Sequence, residues 1–126
     1  MFTIGVQCEF SAAHFHGGAG ESCRRIHGHN YRVEARVGSA RLRGNMVVDF
    51  TEVRQALARA TAPWDHQVLN EVDDFDGREP TAENISRLLF AKMAGQFGKP
   101  LRLLRITVWE TGDCWASYGE GEEDKE

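Results

Sequence analysis

The stretch Cys23–Tyr31 reads CRRIHGHNY and runs directly into RVEARVG, residues 32 to 38. From 30 to 38, Tyr31, Val33, Ala35 and Val37 alternate with Arg32, Glu34 and Arg36, the period-two pattern of a half-buried strand. Extended back to residue 27, that strand puts His27 and His29 on one face, because strand side chains repeat every two residues. Two imidazoles on one face of a rigid strand are half of a metal site. His14 closes the run FSAAH, residues 10 to 14, and offers a third ring. Three neutral imidazoles around an open fourth position describe catalytic zinc. The competing reading is a chance cluster of surface histidines, and HGH alone is too short to decide.

Outward from this stretch, residues 2 to 12 alternate as well. Phe2, Ile4, Val6, Cys8 and Phe10 oppose Thr3, Gly5, Gln7, Glu9 and Ser11, so the spacing predicts a first strand that pairs with the second as a hairpin. Cys8, on the apolar side, reads as a small core residue. Between the strands, FHGGAGES, residues 15 to 22, is a glycine-rich loop without phosphate-loop spacing that brings Cys23 toward the histidines. His16 either competes as a ligand or faces solvent.

C-terminal to the second strand, GNM (44–46) turns the chain and Asp49 or Thr51 can cap a helix. Val53, Leu57 and Ala60 mark its apolar face from about Glu52 to Ala62, and Pro63 stops it. WDHQVLNE, residues 64 to 71, contains the adjacent pair Asp65-His66. This is either a carboxylate–imidazole acid/base unit or an ordinary turn with a surface histidine. PTAEN, residues 80 to 84, starts a second helix with Thr81 as cap, and Ile85, Leu88, Leu89 and Met93 give its face to about Gln96. Residues 101 to 111 predict a strand in which Leu104, Ile106, Val108 and Glu110 share a face. A carboxylate closing an apolar face either sees water past the strand's buried part or anchors a ligand edge with two N–H groups. CWASY, residues 114 to 118, is a last short strand.

The predicted fold class is therefore α+β, with strand and helix order ββααββ: an antiparallel four-stranded sheet with two helices packed on one face. The other sheet face is too polar for a core and suits a water-filled lumen or another subunit. The 126 residues predict a single domain over residues 1–119. The acidic tail Glu120–Glu126 carries five acids and one lysine and is expected to be solvated. That tail accounts for the whole formal charge of −4, which leaves a neutral body and argues against nucleic-acid or membrane partners. No signal-peptide pattern or bilayer-length apolar run is present. Three cysteines, Cys8, Cys23 and Cys114, without CxxC spacing fit a reduced, cytoplasmic setting rather than a disulfide framework.

Taken together, FSAAH, CRRIHGHNY, VVDFTEV, WDHQVLNE, PTAEN and VWETGDCWASY, in this order and spacing over residues 3 to 118, resemble the 6-pyruvoyl tetrahydropterin synthase family. A cysteine four residues before the first histidine of HGH resembles the bacterial 6-carboxytetrahydropterin synthases of queuosine biosynthesis. Pyruvoyl-forming members carry it two positions further upstream. A third group uses glutamate and releases a hydroxymethyl pterin, and Glu21 keeps that alternative in view.

The resemblance implies a tunnelling fold. It implies a homohexamer of two stacked trimers, with active sites between subunits. Zn2+ would be held by His14, His27 and His29. Cys23 would accept the proton, with Asp65 and His66 activating it. Glu110 would anchor the pterin ring and count with the catalytic set. Thr81 and Glu83 would lie on the substrate side. The implied reaction turns 7,8-dihydroneopterin triphosphate into 6-carboxy-5,6,7,8-tetrahydropterin, releasing acetaldehyde and triphosphate. Phe15 and His16 depart from the family pattern, which leaves the triphosphate's ligands open; Arg24 and Arg25 are candidates or solvated loop charges. A non-catalytic pterin-binding protein is the alternative from another class.

Overall fold

Strand β1, Phe2–His14, and strand β2, His27–Ser39, pair antiparallel in continuous register from Phe2 opposite Ser39 to His14 opposite His27. The computed structural model describes residues 1–15 and 26–120. The alternation read from the sequence is largely the burial pattern observed, except that Phe2 at the strand start is exposed and Cys8 is only partly buried. Val6, Phe10, Ala12 and His14 on β1 and Tyr31, Val33, Ala35 and Val37 on β2 are all buried on one face. On the opposite face, Gln7 donates to Glu34 at 3.1 Å, Arg36 donates to the same carboxylate at 2.7 Å, and the Arg32 guanidinium lies 4.4 Å over the Trp109 ring.

A turn at Gly44 and Asn45, with φ of 59° and 65°, lets Arg43 and Met46 hydrogen-bond to each other and leads into helix α1, Phe50–Thr61. Asp49 caps it, accepting from the Thr51 amide at 2.8 Å, so of the two cap candidates Asp49 serves. Val53, Ala56, Leu57 and Ala60 face the sheet. Pro63 falls in a 3-10 turn, Ala62–Trp64, where its missing N–H costs nothing. Helix α2, Ala82–Met93, is capped as expected by Thr81, whose hydroxyl accepts from the Asn84 amide at 3.1 Å. It buries Ile85, Ser86, Leu89, Phe90 and Met93, while Leu88 is only partly buried.

The sheet departs from the expected four antiparallel strands: it has five, in mixed order. Between the helices lies β3, Gln67–Val68, and after α2 come β4, Arg102–Trp109, and β5, Trp115–Gly119. The spatial order is β3-β1-β2-β4-β5, and β3 runs parallel to β1, Ala12 opposite Gln67 and Ala13 opposite Val68. Two residues carry no alternation to read. The strand exists because His66, at φ 61°, turns the chain against Ser11, whose carbonyl accepts the His66 amide. A second departure lies in β4. A register shift between Arg36 and Val37 leaves Val37 opposite Leu103, so Leu103, Ile106 and Val108 face the helices. Leu104 is buried too, but on the side of Gly38.

Both helices cover the face that carries the three histidines. Trp64, Phe10 and Tyr31 fill the core just below them, with Phe10 and Tyr31 stacked at 5.1 Å. Among the described residues no helix is long and apolar enough to cross a membrane.

Candidate functional site

His14 is the last residue of β1 and His27 the first of β2, and the register sets them directly opposite; His29 faces Ala12 one step along. The same period-two geometry that buries Phe10 and Tyr31 therefore brings the three imidazoles to the end of the core. Their ring centroids lie 4.6, 5.1 and 4.9 Å apart, each pair close to perpendicular. One nitrogen from each falls within a common 4.8 Å, and the His14 and His27 Nε2 atoms are 3.0 Å apart. Burial pushes the pKa values of His14 and His29 below the usual histidine value, so both present lone pairs at neutral pH.

His14 is fully buried and held from behind. Its Nδ1 lies 3.0 Å from the Pro80 carbonyl oxygen and 3.1 Å from the Tyr31 hydroxyl. Burial, then the nearby Glu110 carboxylate, pushes the Tyr31 phenol above its ordinary value, so that hydroxyl stays protonated. Sequence reading missed Pro80 here: the contact is made by a backbone oxygen, which leaves no mark on residue type.

Glu110 sits just past the end of β4, on the face of Ile106 and Val108, as expected. Its side chain is 32% exposed, so it is neither fully buried nor simply solvated. Oε1 lies 3.1 Å from His14 Nε2 and 3.6 Å from His29 Nε2. The carboxylate thus borders the histidine cluster, and its backbone amide is tied to the Cys114 carbonyl at 3.0 Å.

Asp65 and His66 do form a pair, 3.1 Å from Asp65 Oδ2 to His66 Nδ1. The Ser11 amide donates to Asp65 Oδ1 at 2.9 Å, and this backbone bond, more than the imidazole, holds the carboxyl below its usual range. The His66 side chain is 80% exposed. It lines the same cleft as His29, about 420 Å3 in volume, together with Ser11, Gly28, Asn30 and Gln67. A positive φ at a non-glycine residue, as at His66, is the kind of backbone outlier that concentrates at functional sites.

Asn70, in the same motif, was not singled out by sequence. Its side-chain amide accepts from the Phe15 N–H and donates to the Phe15 carbonyl, both at 2.9 Å. It thereby fixes the residue after His14. The only available signal was an asparagine close to Asp65-His66.

Thr81 is engaged as the cap of α2, and Glu83 is exposed in its first turn, one helix start away from the Pro80 carbonyl. Cys23, with His16, Glu21, Arg24 and Arg25, lies outside the described residues. So does the tail beyond Glu120.

The donor set fits a metal ion. Three imidazole nitrogens around one zinc, each about 2.0–2.1 Å away, stand about 3.3 Å from one another, close to the 3.0 Å separation of the His14 and His27 nitrogens. The His29 Nε2 atom is buried and makes no hydrogen bond among the described residues, which leaves a lone pair for a ligand.

The family model for 6-pyruvoyl tetrahydropterin synthase matches residues 3–121. A Synechocystis protein named 6-carboxy-5,6,7,8-tetrahydropterin synthase is 35% identical over 127 residues, covering 94% of this chain and 93% of its own. The Haemophilus influenzae protein of the same name is 24% identical, covering 95% and 100%. Among solved structures, the Caenorhabditis elegans 6-pyruvoyl tetrahydropterin synthase superposes with a TM-score of 0.81 at 25% identity, covering 95% of this chain and 96% of that one.

Proposed function

The chain belongs to the 6-pyruvoyl tetrahydropterin synthase family, and we propose that it is a zinc-dependent lyase converting 7,8-dihydroneopterin triphosphate to 6-carboxy-5,6,7,8-tetrahydropterin, with release of acetaldehyde and triphosphate. The observation that carries this reading is the convergence of His14, His27 and His29 at the end of the core with Glu110 beside them. Relatives named for the carboxy product, and the spacing of Cys23 four residues before His27, favour that product over a pyruvoyl or hydroxymethyl one. The proposed setting is queuosine-type deazapurine synthesis, in the cytoplasm, by a single domain that assembles as a homohexamer with active sites between subunits.

His14, His27 and His29 would hold the zinc. When bound, the metal supplies Lewis acidity to the hydroxylated side chain of the pterin. The remaining work falls to side chains. Glu110 offers two carboxylate oxygens to a pair of ring N–H groups, which orients the pterin against the histidine cluster. Cys23 Sγ takes a side-chain proton. A free thiol, with a pKa of about 8.5, is a poor base at neutral pH unless a neighbouring imidazole withdraws its proton. Asp65 holds Nδ1 of His66 at 3.1 Å, so the other ring nitrogen is free in orientation to serve as that acceptor, and the carboxylate steadies the imidazolium that results. Thr81 and Glu83, at the start of α2, border the substrate side. Of the two, Glu83 is exposed and its carboxylate would be the one to meet a polar substrate group, whereas the Thr81 hydroxyl is committed to its cap.

The test of this reading is Cys23→Ala. It should retain zinc at one ion per chain while losing most turnover of dihydroneopterin triphosphate; undiminished turnover removes Cys23 from the mechanism.

A further inference from the structure

We propose that Tyr31 is a positioning residue for the metal centre: with the Pro80 carbonyl it holds His14 as the Nδ1–H tautomer, so that Nε2 is the atom offered to the ion. This rests on the reading of His14, His27 and His29 as the metal ligands.

The argument starts from what each oxygen can do. His14 Nδ1 faces two of them, Pro80 O at 3.0 Å and Tyr31 Oη at 3.1 Å. A backbone carbonyl only accepts, so its contact is favourable only when Nδ1 carries the proton. With Nδ1 bare, two lone pairs would face each other in a site from which water is excluded, since His14 is fully buried. Nδ1–H donates to Pro80, and the Tyr31 oxygen accepts a share of the same hydrogen. A ring held this way turns Nε2, the nitrogen 3.0 Å from His27 Nε2, toward the ion; in the metal-free protein the Glu110 carboxylate, 3.1 Å from Nε2, also draws a proton to that atom, so the tautomer is read with the ion bound.

Tyr31 is suited to hold this geometry rather than to titrate or react. It is completely buried, its ring is stacked on Phe10 at 5.1 Å, and Phe10 in turn packs on Trp64. The hydroxyl is therefore fixed by the core, and the core by the sheet register that also sets His14 opposite His27. An outer partner that fixes tautomer and ring orientation raises the fitness of a histidine as a ligand, and removing such a partner costs roughly 10–100-fold in metal affinity. Because the Pro80 carbonyl remains in any Tyr31 variant, the lower end of that range, about tenfold, is expected.

The experiment uses the full chain. Long-range 1H–15N spectra of the zinc-loaded protein read which His14 nitrogen carries the proton, and a competition titration with zinc reads affinity for wild type, Tyr31→Phe and Val53→Ala. Val53 is buried on α1 and serves as a core variant. Expected are a protonated Nδ1 and unprotonated Nε2 on His14, a shifted His14 15N resonance and about tenfold weaker zinc binding in Tyr31→Phe, and unchanged zinc affinity in Val53→Ala. An Nε2–H tautomer in wild type, or a Tyr31→Phe affinity within twofold of wild type, overturns this inference alone. Failure of wild type to bind zinc overturns the metal reading as well.

Discussion

The side chain of Asn70 forms a closed pair of hydrogen bonds with the backbone of Phe15, accepting from its N–H and donating to its carbonyl, both at 2.9 Å. Phe15 directly follows His14 and stands where β1 ends, so the pair continues the strand's hydrogen bonding with a side chain in place of a partner strand. Parallel β3, three residues before Asn70, starts that support at Ala12 and Ala13. Two partly buried hydrogen bonds contribute about 1–3 kcal/mol together. Asn70→Ala should lower unfolding free energy by about that amount in a urea titration, and speed hydrogen exchange at the Phe15 amide. Unchanged exchange at Phe15 contradicts the clamp.

Glu110 borders the histidine cluster, and the proposed ring-anchoring role and a metal-ligand role separate on substitution. If the carboxylate anchors the ring, Glu110→Gln keeps zinc at wild-type stoichiometry and weakens binding of a pterin analogue by roughly ten- to a hundredfold, the worth of a charge-assisted hydrogen bond. Loss of zinc with pterin affinity intact would instead make Glu110 a metal ligand.

The stretch leading into Asp65 is held by a small polar cluster. The Trp64 indole donates to Asp74 Oδ2 at 2.8 Å, Lys92 Nζ reaches the same oxygen at 3.1 Å, and Lys92 also donates to the Ala60 carbonyl at 2.7 Å. The indole bond first, then Lys92, holds the Asp74 carboxyl below its usual range. A carboxyl whose folded pKa is depressed contributes stability above its unfolded value of about 3.9 and loses it as pH falls through the lower, folded value. Asp74→Asn should therefore be less stable than wild type at pH 7, and the gap should close below about pH 4. A gap that does not change with pH contradicts the assignment.

Much of this site could be read from residue order because strand geometry has a strict period. Alternation put His27 and His29 on one face, His14 was read as the end of the FSAAH run, and the three came together as ligands through the family resemblance; the caps at Asp49 and Thr81 were legible through local chemistry. Glu110 was placed on the correct face, but its neighbours came from other strands and could not be read. The departures share a cause: β3 is too short to alternate, the shift that turns Leu104 away from the helices depends on pairing with Arg36 and Val37, and Pro80 acts through a carbonyl common to every residue. Asn70 binds backbone atoms far away in sequence, which no local pattern records.

The measurement that tests the account most directly is a product analysis. Zinc-loaded protein is incubated with 7,8-dihydroneopterin triphosphate, the pterin is identified by mass, and aldehyde is trapped in the same reaction. The account predicts 6-carboxy-5,6,7,8-tetrahydropterin and acetaldehyde in equal amounts. A pyruvoyl or hydroxymethyl pterin without acetaldehyde contradicts the proposed reaction, and no turnover by folded, zinc-bound protein contradicts catalysis itself.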